Sequence, residues 1–296
     1  MKTLQTVLVL LLAVSSSVFA QAPGVPIIRE TRGAPPELIE AAKKLRDEGK
    51  LISMATAQEQ LARTSCELVL PASSTQLLPG GELWQRARSA HLRVGYLYLC
   101  TKCEHLHLNI AGGYAITADG AVATCFHVIE PKDMKEGHLV AVTENGAVLP
   151  VLEVLAGNRA NDVDIVRVQA AQPLEPLPLN PNVRPGDEAW CYSDPFGRSN
   201  YFSKGIINRF FQRAMTSGAV SVRINVSTDW APGSSGSAVL DSCGNAIGHV
   251  SEISAQGSQP SPRTAAPEAN KTGQTYIIFH DAVRAADVLG LARPAR

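Results

Sequence analysis

The sequence from about residue 90 onward predicts an all-β fold. Short apolar runs, often alternating with polar residues, follow one another at close intervals and are separated by Gly, Pro, Asn and Asp, a pattern typical of β-barrels and sandwiches. The helices of ten or more residues that a doubly wound α/β fold needs between its strands are not predicted there. The runs that we interpret as strands cover residues 92–98, 114–117, 121–124, 139–142, 164–168, 188–192, 220–226, 237–240 and 246–253.

The first 20 residues have the composition of an export signal. Lys2 supplies a positive charge, residues 7–14 form an uncharged apolar core, and Val18 and Ala20 occupy the cleavage positions, as signal peptides require. An uncleaved anchor is the alternative, but the apolar core is shorter than the roughly 20 residues of a spanning helix. We therefore expect a signal peptide at 1–20, a periplasmic or secreted mature protein, and no stable membrane insertion.

Residues 21–85 predict a helical and irregular N-terminal extension. Pro36 suits the first turn of a helix that Gly49 ends, and a second short helix covers about residues 55–63. Two short helices cannot bury a core of their own, so we expect the extension to pack on a domain formed by residues 86–296. Near the C-terminus of that domain, a strand leads into an amphipathic helix.

Composition bounds the function classes. The chain has 296 residues, 45% of them hydrophobic, which is enough for one sizeable core or two modest ones. Its formal net charge is zero, so no long-range field attracts nucleic acid or an anionic membrane. We expect no nucleic-acid partner, and the function must be inferred from specific sites and not from overall charge.

Three polar side chains stand at strand ends in an order that suggests nucleophilic catalysis. His127 ends one apolar run, Asp164 begins another, and Ser235 lies in a Pro-Gly-Ser-Ser-Gly-Ser turn. Each alone has a common structural explanation: a core histidine, a solvated turn carboxylate, and a Gly/Ser-rich turn. Together their order is His, Asp, Ser, with spacings of 37 (127 to 164) and 71 (164 to 235) residues, which suits a catalytic triad on two packed barrels.

Several segments resemble the HtrA-like branch of the trypsin-fold serine peptidases. They are residues 112–127, 194–197, 205–207 and 228–248, within a similarity that covers about residues 90–285. The resemblance implies a chymotrypsin-like double β-barrel and peptide-bond hydrolysis through an acyl-enzyme. Ser237 stands where the family often has Gly. About ten residues follow the final predicted helix, so we expect no PDZ domain.

The resemblance also implies a role for each site residue. Ser235 would attack the peptide carbonyl, His127 would transfer the proton, and Asp164 would orient the imidazole. Asp162 is the rival acid, and Asp164 is preferred because it directly abuts Ile165 and Val166, as the family pattern requires.

Further roles concern the neighbours of the triad. The N–H groups of Gly233 and Ser235 would form the oxyanion hole, and Ser251 aligns with the serine that supports the triad carboxylate. Asp229 lies six residues before Ser235, where trypsin-like enzymes place the acid that selects Arg or Lys. A structural hydrogen-bonding role is the alternative for Asp229.

The six cysteines suggest some disulfide bonds in an exported protein. By resemblance to chymotrypsin-like proteins we expect a Cys191–Cys243 disulfide, and the other four cysteines allow three pairings. Cys100 and Cys103, with His105 and His107 close behind, could instead bind zinc. We predict disulfides over metal, and no cofactor.

The predicted function is that of an exported serine endopeptidase acting on polypeptide substrates. A catalytically silent, protease-like binding module is the alternative. An esterase or lipase would need the order Ser, Asp, His and a Gly at the position of Ser237, so that class is disfavoured.

Overall fold

The computed structural model describes residues 27–28, 34–214, 218–257 and 275–294 of the chain. Four α-helices and fourteen strands lie within these residues. In chain order they are α1 (Pro36–Asp47), α2 (Met54–Gln60), β1 (Cys66–Leu68), α3 (Gly80–Ala90), β2 (His91–Cys100), β3 (Leu106–Ala115), β4 (Ala121–Thr124), β5 (Met134–Thr143), β6 (Val148–Asn158), β7 (Val163–Val168), β8 (Glu188–Ser193), β9 (Tyr201–Ala214), β10 (Val220–Val226), β11 (Ala238–Leu240), β12 (Ala246–Gly257), β13 (Thr275–Arg284), α4 (Ala285–Leu291) and β14 (Ala292–Pro294).

Twelve of the strands form two closed antiparallel barrels of six strands each. The first barrel has the order β2-β3-β4-β7-β6-β5, and the second has the order β10-β13-β12-β11-β8-β9. Closure removes the exposed strand edges that an open sheet would present. The predicted chymotrypsin-like double β-barrel is therefore confirmed.

Strands between the barrels are apolar on both faces because each face meets a different core. On β4, Val122 packs inside the first barrel, whereas Ala123 belongs to the core between the barrels. On β7 the same division separates Val166 from Ile165. This double burial explains why these strands appear in the sequence as short continuous apolar runs.

The N-terminal extension packs on the barrels, as expected. The Ser53 hydroxyl caps α2 by accepting a 3.0 Å hydrogen bond from the Thr56 N–H, and Met54 and Ala57 enter the core of the first barrel. Ala87 of α3 joins the core between the barrels. Strand β1 pairs in parallel with β14, so the extension is tied to the C-terminal end of the described chain.

Some sequence-based predictions lie outside the described residues. The predicted signal peptide at 1–20 is one of them, and the boundaries 21–85 and 86–296 stay predictions. In the parts of the chain that the structure describes, no α-helix has the length and apolar character needed to cross a bilayer.

The cysteine prediction needs correction. All six cysteines are among the described residues and all are free thiols. Cys191 is fully buried in the core of the second barrel, whereas the half-buried Cys243 lies in the turn between β11 and β12, where its N–H donates to the Asp241 carboxylate. The expected Cys191–Cys243 disulfide is therefore absent, since one thiol faces a core and the other belongs to a surface turn.

Candidate active site

The centre of the site is a histidine held by a carboxylate from the turn before β7. His127 lies on a short 3₁₀ turn, Phe126–Ile129, directly after β4. Its Nδ1 is 2.9 Å from one carboxylate oxygen of Asp162 and 3.0 Å from the other. The backbone N–H of His127 also donates to Asp162 Oδ1 at 3.1 Å. Ring and backbone of the histidine are thus bound to a single carboxylate.

The backbone before β7 explains why this acid is Asp162. The N–H of Asp162 donates to the Arg159 carbonyl at 3.3 Å, and Asn161 N–H donates to the Asn158 side chain at 3.1 Å. Asp162 ends this turn in the left-handed region, with φ of 55°, which Asp tolerates better than most residues. The turn aims the carboxylate out of the strand direction and toward His127.

Asp164, the acid that the sequence favoured, does not contact His127. Its side chain is fully buried, and neither carboxylate oxygen has a hydrogen-bond partner within the described chain. It lies against the backbone of Gly157 on the neighbouring strand β6. Because side chains alternate along a strand, Asp164 shares its face with Val166, which packs inside the first barrel. The expectation that Asp164 orients the imidazole is therefore corrected to Asp162.

Two residues of β12 complete the surroundings of Asp162. The Ser251 hydroxyl donates to Asp162 Oδ2 at 2.6 Å, and His249 Nε2 lies 3.2 Å from the Asp162 carbonyl oxygen. Burial raises the pKa of Asp162, but the hydrogen bonds from His127 and Ser251 outweigh burial and bring that pKa to about 2. Asp162 is therefore a carboxylate at neutral pH, and Ser251, expected to support the carboxylate of Asp164, donates to Asp162 instead.

The loop that carries Ser235 is shaped by two glycines with positive φ. Gly233 has φ of 101° and Gly236 has φ of 83°. A Cβ on Gly236 would lie 2.2 Å from the Gly112 carbonyl oxygen, so only glycine fits there. The N–H groups of Ser234 and Ser237 close turns within the loop, whereas those of Gly233 and Ser235 have no acceptor in the described chain. These last two are the predicted oxyanion donors.

The loop directly after β8, which contains Phe196, orients the N–H of Gly233. Phe196 donates its N–H to the Pro232 carbonyl oxygen at 2.7 Å. Since N–H and C=O point in opposite directions across a trans peptide, this bond turns the N–H of Gly233 away from Phe196. This loop is itself anchored, because the buried Asp194 carboxylate lies 3.2 Å from His91 Nε2.

One family model matches the part of the chain that holds His127, Asp162 and Ser235. Residues 111–248 match the family model described as the trypsin-like peptidase domain. This match covers slightly less than half of the chain, and it confirms the predicted resemblance to the trypsin-fold peptidases.

The relatives of this chain are distant in sequence. A Synechocystis protein provisionally named serine protease HhoA is 28% identical over 149 residues, which are 47% of this chain and 36% of the relative. The chain thus spans about a third of that relative's length.

Two solved structures of the HtrA-type protease AlgW share the fold. The variant with a tripeptide has a TM-score of 0.52 at 18% identity, with 72% of this chain and 62% of that chain covered. The complex with a decapeptide has a TM-score of 0.54 at 16% identity, with 72% and 66% covered.

Beside His127 lies a cavity of about 280 Å³ whose lining includes a buried arginine. Arg223 lines it together with His127 and Asp162 and is 2% exposed. Its Nε and Nη1 have no partner among the described residues. Two other arginines at this cavity form ion pairs, Arg159 with Glu130 and Arg213 with Glu252. The charge of a buried guanidinium close to Asp162 favours the charged form of that carboxylate.

Asp229 does not share this cavity. It is exposed and lines a separate cavity of about 900 Å³, formed mainly by strands β9, β10 and β13. Its backbone N–H and C=O both bond to the Ser203 hydroxyl, at 3.1 and 3.0 Å. Both bonds involve only the backbone of Asp229, so the role of the Asp229 side chain stays a prediction.

The sequence alone did not predict a site role for His249, Arg223 or Asp194. His249 and Arg223 lie in strands whose neighbours are apolar, so each resembled an ordinary polar position. A charged residue inside an apolar strand can indicate a functional site, because burying an unpaired charge costs free energy. Asp194 is the first residue of the segment 194–197 that resembles the family, but the sequence did not predict its contact with His91.

Proposed function

We propose that the chain is an exported serine endopeptidase that uses Ser235, His127 and Asp162. The observation that carries this proposal is the continuous chain of hydrogen bonds from Ser251 through Asp162 to His127 Nδ1. A carboxylate on Nδ1 leaves Nε2 as the nitrogen that accepts a proton, which is the tautomer a general base needs. A merely structural histidine would not require a buried carboxylate bound from both sides.

In the proposed reaction, Ser235 Oγ attacks the peptide carbonyl while its proton passes to His127 Nε2. Asp162 stabilises the resulting imidazolium, and the N–H groups of Gly233 and Ser235 bind the oxyanion. His127 then protonates the leaving amine, and water hydrolyses the acyl-enzyme by the reverse sequence of proton transfers. Polypeptides are the proposed substrates, and export rests on the signal-like composition of residues 1–20.

One observation favours the alternative of a silent binding module. Within the described chain, Ser235 Oγ has no hydrogen bond to His127. Catalytic hydrogen bonds are often long in proteins without substrate and shorten in the complex with substrate. The hydrogen bonds that join Ser251, Asp162 and His127 are therefore the stronger observation. Because of this alternative, the experiment must measure whether Ser235 is reactive.

The test is labelling of purified residues 21–296 by a fluorophosphonate, which reacts with an activated serine. We expect the wild type and Ser73→Ala, which alters an exposed serine before α3, to be labelled, and Ser235→Ala to remain unlabelled. If folded wild type is not labelled, the binding module is the better assignment. Labelling that survives in Ser235→Ala would identify a different nucleophile.

Ser251→Ala measures the support given to the triad carboxylate. Loss of an uncompensated hydrogen bond to a charged group costs about 1.5–3 kcal/mol, so we expect the fluorophosphonate labelling rate to fall about 10–100-fold. Ser254→Ala, on the same strand, is the matched control and should keep the wild-type labelling rate. An unchanged labelling rate in Ser251→Ala would show that Ser251 does not support the Asp162 carboxylate.

A further inference from the structure

The turn between β2 and β3 gathers three potential metal ligands away from the triad. Cys100 ends β2, Cys103 lies in the turn, and His107 is the second residue of β3. Their ligand atoms all lie within 4.8 Å of one another, and Cys103 Sγ is 2.9 Å from His107 Nε2. The cluster is open on one side, because Cys103 and the intervening residues are exposed.

We propose that Cys100, Cys103 and His107 bind one Zn²⁺ ion, with water at the fourth position. Two sulfur ligands and one imidazole suit zinc better than the hard cations Mg²⁺ and Ca²⁺. Two thiolates neutralise the ion, and binding releases the two thiol protons. The ammonium of Lys102, between the cysteines, is already paired with the Asp133 carboxylate at 2.6 Å and does not compete.

The backbone of the turn is arranged for a sulfur ligand. Lys102 donates its N–H to Cys100 Sγ at 3.3 Å, and a hydrogen bond to sulfur favours the thiolate. Cys100 donates its own N–H to the His105 carbonyl at 3.0 Å, which closes the turn and fixes the spacing of the two cysteines. Cysteines two residues apart are a common half of zinc sites.

The ligands need only a small adjustment to surround the ion. With Zn–S of about 2.3 Å and Zn–N of about 2.0–2.1 Å, a tetrahedral site separates sulfur from nitrogen by about 3.6 Å. Cys103 Sγ and His107 Nε2 must therefore move apart from their 2.9 Å contact. Cys103 is exposed and lies in the turn, so a side-chain rotation accommodates this change. His105 is exposed and lies outside the cluster of three.

A Cys100–Cys103 disulfide competes with this site in an oxidising compartment. Such a bond would consume both sulfur ligands and leave His107 without a metal to bind. Zinc protects thiols because the bound thiolates are shielded from oxidants. The two states differ in metal content and in the number of free thiols, so both can be measured on the same sample.

The experiment uses residues 21–296 purified without chelator. Zinc content is measured by elemental analysis after dialysis against metal-free buffer, and thiols are counted after unfolding. We expect about one Zn²⁺ per chain, falling about tenfold or more in Cys103→Ser and in His107→Ala. Cys243→Ser, which changes a half-buried thiol in another turn, should keep full zinc content, as should His105→Ala. Substitution by Co²⁺ should produce the visible absorption of a tetrahedral site with sulfur ligands.

Several results would overturn the proposal. Wild-type protein with free thiols and no zinc would do so, as would a Cys100–Cys103 disulfide identified by peptide mapping. Equal zinc loss in Cys243→Ser would show that the metal is bound elsewhere. Loss of zinc in His105→Ala would replace water by that imidazole as the fourth ligand and contradict the open site. None of these results depends on peptidase activity.

Discussion

Asp162→Asn is expected to lower the rate of fluorophosphonate labelling, and of hydrolysis of unfolded casein, by about 10⁴-fold. The amide cannot stabilise the imidazolium that forms on His127. Its NH₂ group can donate to Nδ1, which favours the tautomer that carries its proton on Nε2 and cannot act as the base. The two contacts of 2.9 and 3.0 Å to His127 Nδ1 make this carboxylate the only one bound to the ring among the described residues. The measurement is the second-order labelling rate, which needs no known natural substrate.

Asp164→Asn is the matched control, since it makes the same change two residues away. Asp164 is buried inside the first barrel without a hydrogen bond to His127. Burial first, and then the charges of Asp162 and Glu130, raise its pKa well above the usual value, so the neutral acid is favoured and Asn resembles it closely. We expect the labelling rate of Asp164→Asn to stay within about threefold of wild type. The opposite pattern, with Asp164→Asn inactive and Asp162→Asn active, would restore Asp164 as the triad acid.

His249 is expected to make the protein less stable as the pH falls below neutral. It is fully buried, and burial lowers its pKa from 6.5 to about 4. Between these two values the unfolded chain binds a proton that the folded chain does not, so stability is complete above about pH 6.5 and is lost as the pH falls toward 4. The difference of about 2.5 units corresponds to about 3 kcal/mol in the free energy of unfolding. Urea unfolding at pH 6.5 and pH 4.5 measures most of it.

The comparison that isolates His249 is with His249→Gln, which has no titrating group at this position. Other groups also contribute to the pH dependence, among them Asp164, whose pKa is raised by burial, so the test is the difference in pH dependence between the two proteins. We expect the wild type to lose about 2–3 kcal/mol more than His249→Gln between the two pH values. The exposed His105 provides a control, because His105→Gln should retain the wild-type dependence. Equal losses in wild type and His249→Gln would mean that His249 titrates normally in the folded protein.

The sequence alone was sufficient to predict the fold class. Both barrels follow from local patterns: strands between the barrels are apolar on both faces, and their lengths and turn residues exclude long helices. The Gly-rich turn around Ser235 and the position of His127 directly after β4 were also predictable, since each depends on a few adjacent residues. Positive φ at Gly233 and Gly236 is the physical reason for that local signal.

Only the tertiary structure decided which residues meet. Asp162 and Asp164 are two positions apart, and a single left-handed residue before β7 sends one carboxylate to His127 and the other into a barrel core. Likewise, Cys100, Cys103 and His107 converge because the two strands of one hairpin pair in a particular register, whereas Cys191 and Cys243 remain apart. Local propensity determines strands and turns, but the direction of a side chain depends on backbone angles and strand register that long-range packing selects.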